Sequence, residues 1–186
     1  RIMLKSVLET DSRFGVVRWD PNAKEMADVG CCAEIIKHHT SEDGRSNIIT
    51  LGQQRFRILE VIREAPFLTA MVSWIQDEEA NSQAELNKLS EEVLMALKDV
   101  VGLTGKLTDA ESVLPEDLPQ LPTELSFWIG AHLGGPVAEE QQHLLELTST
   151  TDRLQREYDM LDNTRRQLAA RTVLKDTFAN VDQANS

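Results

Sequence analysis

The sequence predicts an α+β protein, an antiparallel β-rich half over residues 1–80 followed by a helical half over residues 81–186. Two observations carry this reading. The first half is rich in Val, Ile, Phe and Trp in short runs between turn sequences, whereas the second is rich in Leu, Ala, Glu and Gln with apolar residues at helical spacing. The charge changes at the same place. Residues 1–80 carry 10 basic and 13 acidic side chains, and residues 81–186 carry 9 and 18.

The elements follow in order. Leu4, Val7 and Leu8 mark one face of a short opening helix. Phe14 to Trp19 is a strand, closed by the turn sequence Asp20-Pro21-Asn22. Val29 to His39 and Asn47 to Leu51 form a hairpin around Ser41-Glu42-Asp43-Gly44, where Gly44 supplies the positive φ that such turns need. After Gly52, Phe56, Ile58 and Ile62 alternate with Arg55, Arg57 and Arg63, with a phase slip near Leu59, so a separate half-buried strand is expected there. Glu64-Ala65-Pro66 breaks it, and Phe67 to Ile75 is a further strand. Short strands with tight connections predict a small antiparallel barrel or a curled sheet.

In the second half, Ser82 with Glu85 three residues on has capping-box spacing. Leu86, Leu89, Val93, Leu97, Val100 and Val101 give the helix that follows a core-facing stripe, and Gly102 and Gly105 are expected to end it. Pro115, Pro119 and Pro122 alternate with leucines in an ordered linker. A helix is expected over Glu124 to Leu133, stopped by Gly134-Gly135. Another is expected from Pro136 to about Leu147, and a last one from Thr151 or Asp152. In the last helix Leu154, Tyr158, Leu161 and Leu168 follow a heptad-like phase that Arg165 interrupts. This stripe is too short for a coiled coil and predicts docking on the other helices. The polar tail after Phe178 is expected to fray.

A net charge of −12 argues against a general binder of nucleic acid or of anionic membranes, which select for positive charge. No apolar run is long enough to span a bilayer, and the charged start does not read as a signal peptide. Two adjacent cysteines, Cys31 and Cys32, rule out a disulfide framework and fit a reducing compartment.

Signatures of catalysis fail one after another. Val100 to Thr108 resembles a phosphate loop only superficially, because Val100 stands where the first glycine belongs and Leu107 follows Lys106 where a hydroxyl belongs. Glu140 and His143 form a lone Glu-x-x-His, whereas a di-metal bundle needs two such pairs. Cys31, Cys32, His38 and His39 lack metal-ligand spacing, and neighbouring strand residues point to opposite faces. No nucleophile–base set and no cofactor is expected. Four residues stand out for binding. Phe127, Trp128 and Leu133 are candidates for an apolar contact surface, and Arg55 is a candidate anchor for an acidic group.

Four segments carry a family resemblance. These are Arg13-Phe14-Gly15-Val16-Val17, Val29-Gly30-Cys31-Cys32-Ala33-Glu34-Ile35, Leu51-Gly52-Gln53-Gln54-Arg55-Phe56-Arg57-Ile58 and Pro66-Phe67-Leu68. In order and spacing the sequence resembles the Lon protease N-terminal (substrate-binding) domain family over residues 1–80. The helical half is similar to that of stand-alone members from photosynthetic lineages, through Leu125 to Ile129, Leu144 to Leu147 and Asp152-Arg153-Leu154.

The resemblance implies a PUA-like antiparallel β-barrel followed by a C-terminal α-helical bundle. It also implies a non-catalytic polypeptide-binding module, without the ATPase and protease domains of full-length members. Such a module serves as adaptor, degradation cofactor or assembly aid. The partners it implies are unfolded or partly folded polypeptides and a AAA+ protease, in the cytoplasm or a plastid stroma. An RNA-binding PUA-like protein is the other reading, and the charge disfavours it. Family members begin with a proline- and leucine-rich strand that this sequence does not show. A preceding segment of roughly 25 residues is therefore expected, about two short strands and their connection. Without it the barrel would have an exposed edge.

Overall fold

The structure, a computed structural model, describes residues 1–134 and 138–184. The chain divides into two compact units, Arg1–Asp77 and Glu78–Ser186.

The first unit opens with a short helix, α1 (Ile2–Leu8), followed by the strands β1 (Arg13–Asp20), β2 (Glu25–Thr40), β3 (Ser46–Arg63) and β4 (Thr69–Ile75). They form one antiparallel sheet in the order β1-β2-β3-β4, with β1 and β4 at its edges. The turns obey their sequence. Asp20 Oδ1 accepts the backbone N–H groups of Asn22 (2.8 Å) and Ala23 (3.2 Å), and Gly44 has φ +75°. The sheet is irregular. Register shifts fall between Val17 and Trp19, Cys31 and Ala33, Ile35 and Lys37, Ile58 and Glu60, and Val61 and Arg63. Each such bulge bends its strand and increases the local twist, which curls the sheet. The phase slip near Leu59 is one of these bulges.

The sequence divides the region after the hairpin into two strands at Gly52, but β3 runs unbroken through it. Gly52 pairs with Ala33, and its missing side chain faces open space apart from the Cys31 sulfur. A glycine inside a strand weakens it without having to end it, and here pairing with β2 carries the strand through.

The second unit consists of α2 (Gln83–Thr108), α3 (Pro122–His132), α4 (Ala138–Glu146) and α5 (Thr150–Ala184). Ser82 Oγ accepts the Glu85 N–H (3.3 Å), and Ser149 Oγ accepts that of Asp152 (3.1 Å), so each long helix starts on a hydroxyl cap. Contrary to expectation, α2 does not stop at Gly102 or Gly105; it continues to Thr108 and ends on Asp109 in the left-handed region. Lys175 of α5 secures that end by donating to the Lys106 and Leu107 carbonyls (3.0 and 3.2 Å) and to Asp109 (2.7 Å). Pro122 begins α3, where its missing N–H costs nothing. The expected start at Pro136 lies outside the described residues. Past Phe178 the backbone stays helical to Ala184. Leu86, Val93, Ala96, Leu125, Ile129, Leu154 and Leu161 form the core of this unit. Among the described residues no helix is long and apolar enough to cross a membrane.

Candidate functional site

The concave face of the sheet is built around one aromatic ring. Val17, Gly30, Phe56 and Trp74 are successive partners across the four strands. Their side-chain positions therefore share one face. Gly15 and Gly30 make room for the ring. A Cβ on Gly15 would lie 2.8 Å from the Phe56 ring, and one on Gly30 would lie 2.8 Å from it and 2.4 Å from the Val16 carbonyl oxygen. Phe56 is buried and meets Trp74 edge-to-face at 6.4 Å.

Above Phe56 lies a cleft of about 390 Å³, walled by Met3 and Val7 of α1, Phe14 and Val17 of β1, and Val72 and Trp74 of β4. Both edge strands line one cleft, yet among the described residues they do not pair with each other. Among the described residues, β1 and β4 each have a strand partner on one side. Large apolar side chains are exposed along the same elements, among them Trp19, Leu68, Met71 and Trp74, the last 54% exposed. Of these, Leu68 and Trp74 line the cleft, and exposed apolar side chains gathered at a cleft mark a contact site.

The polar groups of the cleft are already engaged. Arg13 donates to Glu34 (3.0 Å), which also accepts from Gln53 Nε2 (3.0 Å). The Cys32 thiol is buried in the wall, and burial pushes its pKa up, which keeps it neutral. Cys31 faces the other way and donates to the Gln53 carbonyl (3.3 Å). Among the described residues no three His, Cys, Asp or Glu side chains converge to hold a metal. The chemistry on offer is apolar contact together with backbone hydrogen bonding.

The residues singled out in the sequence fall elsewhere. Arg55 is 6% exposed and forms an ion pair with Asp77 inside the first unit. It lies beside Phe56 in the strand and so on the opposite face of the sheet. Phe127, Trp128 and Leu133 belong to α3 and its end in the second unit, all half-buried. The Arg153 guanidinium lies 3.9 Å from the Phe127 ring centroid, and Trp128 stacks on His132 at 4.0 Å. Trp128 and Leu133 also pack against the helical core. Glu140 of the Glu-x-x-His pair is bound by Arg156, which lowers its pKa. Of the basic strand residues, Arg63 lies over Phe67 and donates to Thr69 (3.2 Å). Sequence reasoning missed the cleft because Trp74 reads as core. The signal available was the pairing of two glycines with one phenylalanine.

A family model described as the ATP-dependent protease La (LON) substrate-binding domain matches residues 1–163. Lon protease 2 of Myxococcus xanthus is 27% identical over 169 residues, covering 88% of this chain and 20% of that protein. The Lon protease of Anaeromyxobacter dehalogenans is 25% identical over the same length and coverage. The chain thus spans about a fifth of the length of these curated relatives. Two solved structures share the fold. The N-terminal domain of the Mycobacterium avium complex Lon protease matches with a TM-score of 0.61 and 19% identity, over 86% of this chain and 82% of that one. A Lon N-terminal domain protein from Xanthomonas campestris matches with 0.56 and 20%, over 83% and 79%. An antiparallel four-stranded sheet with a helical region after it, matched by a family model over most of its length, places this chain in the Lon protease substrate-binding domain family.

Proposed function

We propose that the chain binds extended apolar segments of unfolded or partly folded polypeptide in the cleft between β1 and β4. The observation that carries this reading is the apolar cleft between the two edge strands, with Trp74 exposed in its wall. An extended segment laid there satisfies the edge backbone while its alternate side chains enter the cleft, the β-addition mode of peptide recognition. The family's substrate-binding description supports polypeptide as the ligand. In this reading the chain is the recognition part of a degradation or quality-control system, handing clients to a AAA+ protease without performing the hydrolysis itself. Phe127, Trp128 and Leu133 are proposed as a second, apolar contact patch.

The RNA-binding reading has no comparable support. The net charge is −12, and two of the three arginines of β3 are engaged within the sheet.

The test is fluorescence anisotropy of a labelled, permanently unfolded polypeptide titrated with the protein. Trp74→Glu is expected to weaken binding roughly tenfold or more, about 1.4 kcal/mol, with the melting temperature nearly unchanged because the side chain is largely exposed. Unchanged affinity would remove the cleft from the account. Trp128→Ala is expected to weaken capture and, because Trp128 also packs against the helical core, to lower the melting temperature, so capture is compared well below the transition of the variant. Unchanged capture there would remove Trp128 from the contact patch.

A further inference from the structure

Glu157 lies in α5 with no solvent exposure at all, and neither of its carboxyl oxygens has a hydrogen-bond partner. An ionised carboxylate left this way would be very costly, since burial in a low-dielectric interior penalises charge and an unmet acceptor adds to it. Three helices meet at this point. A Cβ on Gly130 of α3 would touch Glu157 Oε1 at 3.5 Å and Leu144 of α4 at 3.4 Å. Gly130 of α3 thus lies directly against the carboxyl group, at a distance where a Cβ would make ordinary contact. Its own carbonyl accepts from Gln141 of α4 (3.0 Å), which ties α4 to the same spot.

Among the described residues, no charged side chain hydrogen-bonds Glu157. On α5 the acting charge is Arg153, one turn earlier. Its guanidinium donates instead to Ser126 Oγ (2.7 Å), the Leu147 carbonyl (2.8 Å) and Thr150 Oγ1 (3.3 Å). α3 presents the Gly130 backbone, while its His132 is exposed and bonded to the Trp128 carbonyl. α4 presents Leu144, while its Glu140 is held by Arg156 and its His143 is exposed. α2 contributes apolar Val93 and Ala96 to the neighbouring core.

We propose that Glu157 is a proton-operated latch: neutral, it lets α5 close on α3 at Gly130, and loss of its proton loosens that contact and frees α3. The electrostatics agree with the geometry. Burial raises the Glu157 pKa to about 8, against weaker lowering by the Arg153 charge and by the nearby Gly130 backbone, which approaches without a hydrogen bond of normal geometry. The direction of the pH effect follows. The folded group holds its proton up to about pH 8, whereas the unfolded group loses it near 4.5. Stability from this residue is therefore greatest below the unfolded value. It falls as pH rises between the two, and is fully lost above about 8. This inference is independent of polypeptide binding, although α3 carries Phe127 and Trp128 and would move with the latch.

The test compares the full chain with its Glu157→Gln variant in urea unfolding, followed by helical circular dichroism from pH 5 to pH 9.5. The wild-type unfolding constant is expected to rise with pH by roughly tenfold or more beyond the rise in the variant, the excess levelling off near pH 8. Identical pH dependence in both proteins would overturn the latch. A second measurement does not depend on the variant. Carbon NMR of the wild-type glutamate carboxyl groups should show one resonance titrating near pH 8, with amides over Leu125–His132 exchanging faster above that point once the intrinsic rate is corrected. Titration of every glutamate in the ordinary range, or unchanged exchange in α3, would refute it.

Discussion

A Cβ placed on Gly30 would sit 2.4 Å from the Val16 carbonyl oxygen and 2.5 Å from Val17 Cγ1, both on the neighbouring strand. Backbone cannot give way as a flexible side chain can, so Gly30→Ala should destabilise the first unit by about 1–3 kcal/mol, the range of overpacked sites. Urea unfolding checks this, and a cost below about 0.5 kcal/mol would mean the strands relax easily. Phe56→Ala should cost about 3–5 kcal/mol, as for other buried aromatic truncations. Gly30 and Phe56 were legible as motif residues, but their shared purpose was not, because 26 positions separate them and only strand pairing brings them together. Arg55 teaches the same lesson. Read locally it is a basic residue on an alternating strand, whereas its partner Asp77 lies 22 positions away. The cysteines were more legible, since alternation alone places one thiol in and one out. Cys32 should accordingly resist alkylation in the native protein at pH 8 and react on unfolding, because burial holds its thiol neutral.

At the scale of elements, local signals worked where a side chain acts on its own backbone. Ser82 was legible as a cap, and the structure shows the hydrogen bond to Glu85. Ser82→Ala should cost about 1 kcal/mol in the same unfolding assay. The signals failed where tertiary packing overrides propensity. Gly102 reads as a helix end, yet each interior glycine costs only about 1 kcal/mol relative to alanine. The packing of α2 along α5 and the Lys175 cap at its end outweigh that cost. A Cβ on Gly102 meets nothing within 4 Å. Gly102→Ala should therefore stabilise the second unit by about 0.5–1 kcal/mol, and a loss of stability would show that α2 needs a flexible joint there. In β3 the same override carries the strand through Gly52, held by β2 on one side. Bulges were half legible. The slip at Leu59 shows in the apolar pattern, but those at Cys31 and Ile35 lie in nearly continuous apolar runs where no alternation exists to break.

For the whole molecule, the order of sheet then helices was legible from composition, because strand and helix formers segregate along the chain. The cleft was not, since its walls depend on which strands are neighbours. The concentration of negative charge in residues 81–186 keeps the surface of that half hydrated and, in the proposed function, would favour basic over acidic partners. Client segments carrying Lys or Arg beside their apolar residues should therefore bind more tightly than acidic ones, and raising ionic strength should narrow that difference without abolishing binding. Binding that vanished at high salt would instead point to an electrostatic ligand rather than an apolar cleft. The central claim is that an extended chain lies in the cleft along β1 or β4. Residue-resolved hydrogen exchange on the protein, with and without saturating unfolded polypeptide, tests it most directly. The account predicts slowed exchange at the outward-facing amides of β1 and β4, and little change in β2 and β3. Saturated binding with both edges still exchanging at their free rates would contradict it.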